Sequence, residues 1–383
     1  MDRRVLDLVI TNILAVLAGL VVSGLLIYLL GKDPIAAYST LLTGVFRDEY
    51  TFGEIFVKAT PLIFTALAFA LPFQAKLFNI GAQGQFYVGA IAASAVSLAC
   101  GAQLPAALAL LLVGVAAIGS GALWAALIGV AKAARGSNEF LLSMMSTFVA
   151  LALMNYLLRT QLRETKGEYP QTNPLQEPTW LPVVVPGTRV HLGFVLALLA
   201  AVGSWFFLYR TKLGFRVRAT GANATAARLA GIRPERVYVV IFGVAGGLAG
   251  AAGFTEVNGV QHMLVQGFNP GVGAAGIGIA ILANANPIGI VFAAILFGVL
   301  MVGGVIMGQL SGIPPSFIDV MIGIVMVCVI LGNVLRWRLQ RRREVARLRR
   351  AEQSSLTEQS GLAEQSGLVE QSGLAEQSGG ESA

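Results

Sequence analysis

Three side-chain amides lie close together in a break between two apolar stretches, and they are well suited to hold a polar solute. Residues 78–85 read Phe-Asn-Ile-Gly-Ala-Gln-Gly-Gln. Amides donate and accept hydrogen bonds without the cost of burying a charge, and non-helical backbone at membrane depth is tolerated where it lines a cavity. An ordinary interfacial turn is the alternative interpretation. The residues assigned to a solute path at this break are Phe78, Asn79, Gln83 and Gln85.

The basic segment 210–236 is the second candidate site. Asn223 is a favourable helix N-cap, and Gly231 is typical of the position that follows a helix. They bracket an alanine-rich stretch, 224–230, which predicts a two-turn helix that fits a groove on a partner protein. A basic loop resting on anionic lipid is the alternative, although lipid contact requires neither the cap nor the alanines. The residues assigned to coupling with a partner are Gly221, Asn223, Ala226, Ala227, Arg228 and Gly231.

The glycine-rich stretch 271–276 matches the letters of the dinucleotide-binding motif Gly-x-Gly-x-x-Gly. That motif requires a preceding strand and an acidic residue about 20 positions later, whereas the next acid here is Asp319. Close helix packing in a membrane explains these glycines, and also those between residues 243 and 250. The Gly31-Lys32 pair lacks the glycine spacing of a Walker A loop. Any ATP hydrolysis is therefore expected on a separate chain.

Acidic residues are sparse in the apolar stretches. Glu139, Glu235, Glu256 and Asp319 all lie at predicted helix ends, whereas proton-coupled carriers usually place carboxylates within the membrane. This distribution disfavours a proton-driven carrier but leaves sodium coupling open. The two histidines and two cysteines lack the spacing of a zinc site. We expect no metal, no cofactor and no enzymatic activity in this chain.

The elements that must position these residues are membrane-spanning helices. The chain is 56% hydrophobic and 12% charged, against about 25% charged residues in soluble domains. A spanning helix needs about 20 apolar residues, and ten candidate segments are present. They are 8–30, 61–73, 85–101, 104–131, 139–158, 191–209, 237–256, 272–283, 287–308 and 317–335.

Two of these segments, 61–73 and 272–283, are short, which is typical of discontinuous helices around a transport path. The first, 8–30, is longer than the apolar core of a signal peptide, so we expect it to be retained. The predicted fold class is an all-α, polytopic transmembrane helical bundle of about ten segments, some of them discontinuous.

The distribution of Lys and Arg predicts the orientation. With the N-terminus inside, 20 of the 27 basic residues lie on the cytoplasmic side, as the positive-inside rule requires. Both termini and 210–236 are then cytoplasmic, and the 159–190 loop is extracytoplasmic. The predicted domains are a transmembrane domain 1–335, a basic segment 336–350 and a disordered low-complexity tail 351–383. The net charge of +7 is thus explained by topology, without nucleic acid as a partner.

From about residue 10 to 335 the chain resembles the permease subunits of ATP-binding-cassette importers of the branched-chain amino acid and simple-sugar type, especially nucleoside (guanosine-like) uptake permeases. Leu77–Gln85 is similar to the family pattern Leu-Phe-Asn-Ile-Gly-Ala-Glu-Gly-Gln. Gly221–Ile232 is similar to Gly-x-Asn-x-x-Ala-Ala-x-x-x-Gly-Ile. The other two blocks are Gly136–Glu139, similar to Gly-x-Asn-Glu, and the glycine-rich Gly273–Ile290. The Gly136–Glu139 block adds Asn138 and Glu139 to the expected path residues.

The resemblance implies a multi-pass protein of the bacterial plasma membrane that forms the translocation path with a second permease subunit. It also implies an extracytoplasmic binding lipoprotein that delivers solute, and cytoplasmic ATPase subunits whose grooves receive helix 224–230. Gln83 replaces a common Glu, which favours a neutral solute such as a nucleoside. Leu282-Ala283-Asn284 departs from a common Leu-Leu-Gly.

Other functions remain as alternatives. The permease could carry sugars or branched-chain amino acids. An ion-coupled secondary carrier is favoured by the short segments but disfavoured by the sparse carboxylates and by the bracketed cytoplasmic helix. We find no sequence feature that favours a membrane scaffold without transport activity.

Overall fold

The computed structural model describes residues 3–100, 103–165, 167–314 and 316–336, together with Arg338 and Arg341. These residues form helices and no strand, apart from two isolated bridges. The helices are α1 (Arg3–Leu29), α2 (Pro34–Val45), α3 (Glu49–Phe73), α4 (Ala82–Cys100), α5 (Ala106–Arg135), α6 (Glu139–Arg159), α7 (Leu192–Arg210), α8 (Lys212–Ala222), α9 (Ala224–Leu229), α10 (Pro234–Glu256), α11 (Val272–Leu282), α12 (Pro287–Ser311) and α13 (Ser316–Arg336).

Eight of these helices are long and apolar enough to cross a membrane: α1, α3, α5, α6, α7, α10, α12 and α13. The predicted all-α polytopic bundle is thereby confirmed. α4 is 19 residues long but carries two glutamines in its first turn, and most of its length is buried within the protein. α2 and α11 are apolar but short.

The prediction that 61–73 is a short segment was wrong. α3 begins at Glu49 and is long enough to span. Its first turn is capped by Asp48, which accepts a hydrogen bond from the Thr51 amide at 2.7 Å. Hydropathy missed this half of α3 because it includes Glu54 and Lys58, and Glu54 finds an ion-pair partner in Arg189.

Three more boundaries differ from the sequence-based expectation. α2 lies in a stretch expected to be loop, and Asp33 caps it by accepting from the amides of Ile35 and Ala36. α8 occupies the first half of the basic segment 210–236, where no helix was predicted before Asn223. Helix α9 ends at Leu229, one residue before the predicted end.

α3 is the central helix, because 89% of its most apolar window is buried inside the protein. It packs against α7, α10, α11 and α12. α10 packs most extensively on α5, and there the glycines allow close approach: a Cβ added at Gly121 would lie 2.4 Å from the Gly246 carbonyl oxygen. A Cβ at Gly89 would lie 2.4 Å from the Gly250 Cα. The prediction that these glycines serve packing is confirmed.

The chain divides into two units, residues 1–12 with 331–383, and residues 13–330. Both candidate sites lie in the second unit. The predicted low-complexity tail 351–383 lies outside the described residues. So does the basic segment 336–350, except for Arg336, Arg338 and Arg341.

Candidate solute path and coupling surface

The amides of Asn79 and Gln85 bind each other. Asn79 Nδ2 donates to Gln85 Oε1 at 2.9 Å, and Gln85 Nε2 donates to Asn79 Oδ1 at 2.8 Å. Asn79 also donates to the Ala68 carbonyl of α3 at 3.1 Å. Both side chains are fully buried, where an unsatisfied amide would cost about 1–3 kcal/mol. The reciprocal pair therefore fastens the start of α4 to the C-terminal third of α3.

Gln83 points to a different neighbour. Its Oε1 accepts from the Gly273 amide at 2.6 Å, and its Nε2 donates to the Asn269 carbonyl at 3.3 Å. Gly273 lies in the first turn of α11, and Thr65 Oγ1 of α3 donates to the Val272 carbonyl at 3.3 Å. The first turns of α4 and α11 thus meet beside the C-terminal half of α3, near Thr65 and Ala68, and both helices direct their positive dipole ends toward this point.

α11 is a half-helix. Its 11 residues cover about 16 Å at 1.5 Å per residue, roughly half of a 30 Å hydrocarbon core. Just beyond its C-terminus, the Ala285 carbonyl accepts from Gln74 Nε2 at 3.1 Å, at the end of α3. α11 therefore runs from the Gln83 region to the end of α3 that the charge distribution places inside. The predicted discontinuous segment 272–283 is confirmed.

An irregular segment leads from α10 to α11. A π-helical turn, Val257–Gln261, ends at His262, which has φ of 53°. The chain then descends to Phe268, whose ring stacks on Phe86 of α4 with centroids 5.0 Å apart. Gly271 precedes α11 with φ of 88°, a left-handed conformation that favours glycine.

The other residues predicted to line the path occupy different positions. Phe78 is 42% exposed, and its ring lies beside Phe69 and Phe73. Asn138 caps α6 by accepting from the amides of Phe140 and Leu141. Glu139 pairs with Lys132 of α5 at 2.8 Å. These contacts account for the α5–α6 turn, and a role of Asn138 and Glu139 in the path stays a prediction.

α6 nevertheless borders the break. A Cβ at Gly81 would lie 2.9 Å from the Ser143 carbonyl oxygen, and one at Gly84 would lie 2.7 Å from the Thr147 Cα. The sequence reasoning missed Thr65, Asn269 and Gln74, since no local pattern marks a residue whose partner lies about 200 positions away.

The second site is built from α8 and α9. Asn223 Oδ1 accepts from the amides of Thr225 and Ala226, both at 3.0 Å, and so caps α9 as predicted. Gly231 has φ of 82°, the left-handed conformation predicted for it. Between these signals, Ala227 is buried whereas Leu229 is 88% exposed. Arg228 forms an ion pair with Glu235 at the start of α10.

α8 packs directly on the end of α3. A Cβ added at Gly221 would lie 2.0 Å from the Gln74 carbonyl oxygen and 2.9 Å from the Ala75 Cα. Gln74 is the residue whose side chain holds the end of α11. A groove of about 850 Å³ separates α8 from α9 and is lined by residues that include Arg218, Asn223 and Ala226. The two candidate sites are therefore connected through Gln74.

The comparisons with known proteins agree with this architecture. Residues 51–330 match the family described as branched-chain amino acid transport system / permease component. The chain is 35% identical to the glucose ABC transporter permease protein TsgB13 of Haloferax volcanii, over 85% of this chain and 88% of that protein. It is 33% identical to the guanosine ABC transporter permease protein NupP of Bacillus subtilis, over 85% and 94%.

A third relative is the nucleoside ABC transporter permease protein NupB of Lactococcus lactis, which is 28% identical over 82% of this chain and 88% of that protein. No solved structure matches the chain.

Proposed function

Because this chain belongs to the permease family of branched-chain amino acid transport systems, we propose that it forms the translocation path of an ATP-driven importer for nucleosides. Its energy would come from a cytoplasmic ATPase on separate chains. A second permease subunit would complete the path, and an extracytoplasmic binding lipoprotein would deliver the solute.

A nucleoside matches the hydrogen-bonding chemistry of the segment between α3 and α4 and the first turn of α4. Asn79, Gln83 and Gln85 offer donors and acceptors but no charge, which matches a solute with ribose hydroxyls and a neutral base. Two of the relatives above are named for guanosine or nucleosides. Sugars are the second candidate class of solute, since one relative is named as a glucose ABC transporter permease. A branched-chain amino acid fits less well, because its ammonium and carboxylate would lack charged partners among these amides.

The path would open by exchange of hydrogen bonds. In the structure, Asn79 and Gln85 satisfy each other, and Gln83 closes onto Gly273. A polar solute at this level would replace those bonds with its own, so that few buried polar groups remain unsatisfied during passage. α11, a half-helix hinged on the irregular 262–271 segment, is the element whose movement would expose the amides.

The contact between Gly221 and Gln74 is the observation that carries the coupling part of the proposal. α9 presents the exposed Leu229 and a capped, two-turn helix to a partner groove. A shift of α8–α9 would be transmitted to the end of α3, and through the Gln74 side chain to α11. ATP-driven movement of the partner would thus reach the amides over a short series of direct contacts.

The decisive experiment is reconstitution of the chain with its candidate ATPase and lipoprotein in proteoliposomes. We expect labelled guanosine to enter only when ATP is supplied on the ATPase side, and glucose to compete weakly. If uptake instead proceeds without the ATPase and stops when ion gradients are dissipated, the chain is a secondary carrier.

A further inference from the structure

The 160–191 loop is joined by backbone hydrogen bonds to the irregular segment between α10 and α11. Thr172 N donates to the Leu264 carbonyl at 2.9 Å, Leu175 N to His262 at 2.8 Å and Leu181 N to Asn258 at 2.9 Å. We name residues 170–181 together with 258–266 the outer latch. Its lower end continues into Phe268 and Asn269, which contact Phe86 and Gln83. The latch therefore leads directly to the candidate solute path.

Arg189 ties the latch to the central helix. Its Nη1 lies 3.5 Å from Glu54 Oε1 of α3, and its Nη2 donates to the Val260 carbonyl at 3.3 Å. One side chain of the loop thereby bridges the start of α3 and the π-helical turn after α10. Opening the latch must break this bridge or carry Arg189 with it.

His191 stands two residues after Arg189 and caps α7. Its Nδ1 accepts from the Gly193 amide at 3.1 Å, and the residue is 1% exposed. Its Nε2 has no hydrogen-bond partner among the described residues. The ring lies against the latch, because a Cβ at Gly259 would be 2.6 Å from its Cε1. An Nδ1 that accepts carries no proton, so the closed arrangement requires neutral imidazole.

The surroundings oppose a positive charge on His191. Burial, then His262, then Arg189 lower the pKa of His191 from 6.5 to about 4. Burial and Arg189 also lower the pKa of His262. The other charged groups facing this region are Glu54 and Lys58 on α3 and Glu256 at the end of α10, of which Glu54 already pairs with Arg189.

We propose that His191 is a positioning residue for transport, and that its neutral side chain holds the outer latch closed so that acid on that face loosens the latch and reduces uptake. Protonation would place a donor at Nδ1 opposite the donating Gly193 amide and a cation beside Arg189. The α7 cap and the packing on Gly259 would be lost together. The effect on uptake rests on the proposed function, whereas the loosening of the latch does not.

The pH window follows from the two states of His191. In an opened latch the side chain is solvated and has its ordinary pKa of about 6.5, and in the closed latch it binds a proton only near 4. Above about pH 6.5 neither state is protonated, so closure does not depend on pH. As the pH falls from there toward 4, the open state alone binds the proton and closure is progressively disfavoured.

Backbone hydrogen exchange of the purified chain in lipid nanodiscs tests the latch without any partner protein. After correction for the intrinsic pH dependence of exchange, we expect the amides of Gly193, Thr172 and Leu264 to exchange on the order of 50-fold faster at pH 4.5 than at pH 7.5. His191→Asn keeps a side-chain acceptor for Gly193 but does not titrate, so it should lose most of the acid acceleration, and the remainder reports His262, whose pKa is also lowered. His191→Ala lacks the cap and should exchange fast at both.

His262→Asn is the matched control, because Asn tolerates the left-handed conformation at residue 262. We expect this variant to keep the acid response. Equal amide exchange of the wild-type latch at the two pH values would overturn the proposal. So would an acid acceleration of exchange that is lost in His262→Asn but kept in His191→Asn.

Uptake by the reconstituted complex at fixed internal pH supplies the functional test. Acid outside should lower uptake by the wild type and have a much smaller effect on uptake by His191→Asn. Equal acid sensitivity of the two would contradict the role of His191 in transport. Absence of ATP-driven uptake at every pH would count against the proposed function and leave the exchange result intact.

Discussion

At the scale of single residues, the reciprocal hydrogen bonds between Asn79 and Gln85 make it possible to distinguish the effect of a substitution on stability from its effect on transport. Each amide is the main side-chain partner of the other, and both are buried. Removing one leaves the other unsatisfied, at a cost of about 1–3 kcal/mol, whereas replacing both with apolar groups of similar size is nearly neutral. Stability and uptake should therefore respond differently to single and double substitutions.

Asn79→Leu should destabilise the protein by about 1–3 kcal/mol and abolish uptake. The double variant Asn79→Leu with Gln85→Leu should recover the part of the stability that the orphaned Gln85 amide costs, but not the part that comes from the Asn79 bond to the Ala68 carbonyl, and it should still fail to transport. Thermal unfolding in detergent and uptake by the complex measure the two effects. A double variant that is stable and transports normally would show that these amides hold a turn and do not contact solute.

Gly221 offers a second prediction at this scale. Gly221→Ala places a Cβ 2.0 Å from the Gln74 carbonyl oxygen, so α8 must move away from α3. We expect ATP hydrolysis by the complex to continue while uptake falls at least tenfold. Gly203→Ala on α7 is the control, since its Cβ would meet no described atom within 4 Å. Equal uptake by the two variants would remove Gly221 from the coupling route.

At the scale of elements, α9 is a short helix whose ends determine whether it forms. Six residues are marginal as an isolated helix. Its stability therefore depends on the Asn223 cap, the left-handed Gly231 and the packing of Ala227. Its Leu229 side chain is 88% exposed, and we expect its shape to matter more than its charge for contact with a partner.

Asn223→Leu removes a cap worth about 0.5–2 kcal/mol, and Gly231→Val forces a β-branched residue into a left-handed conformation at about 1–2 kcal/mol. Both should uncouple ATP hydrolysis from uptake. Gly31→Val imposes a similar strain away from α9, at φ of 73° in open space, and should transport normally. If the two α9 variants transport while Arg216→Gln with Arg218→Gln does not, surface charge rather than the helix couples the partner.

At the scale of the whole molecule, the chain is a multi-pass integral membrane protein of the plasma membrane, and its described residues include eight helices long and apolar enough to cross a membrane. The distribution of Lys and Arg predicts the orientation, with the 160–191 loop outside and α8–α9 inside. This orientation underlies both the coupling route and the outer latch.

Labelling of intact cells with a membrane-impermeant thiol reagent tests this orientation at two exposed positions. Tyr169 is 72% and Leu229 88% exposed, so Tyr169→Cys should label from outside and Leu229→Cys only after permeabilisation. The native cysteines, Cys100 and Cys328, are replaced by Ala in both variants. The reverse labelling pattern would invert the assignment of every loop.

Sequence reasoning was sufficient to identify the class of the molecule and the ends of several of its helices. Hydrophobic length predicted the spanning helices, because a bilayer leaves few other ways to satisfy a backbone. The Asn223 and Gly231 end signals predicted α9, and the shortness of 272–283 predicted a discontinuous α11. Each of these features depends on residues that are neighbours in the chain.

The partners of the polar groups became evident only from the folded chain. The charge of Glu54 led hydropathy to predict too short a helix, and its ion-pair partner, Arg189, is 135 residues away in the sequence. Gln83 binds Gly273, and Gln74 meets both Ala285 and Gly221. In an apolar interior a polar side chain must find a hydrogen-bond partner wherever packing brings one. That choice depends on how whole helices pack together, which local periodicity does not encode.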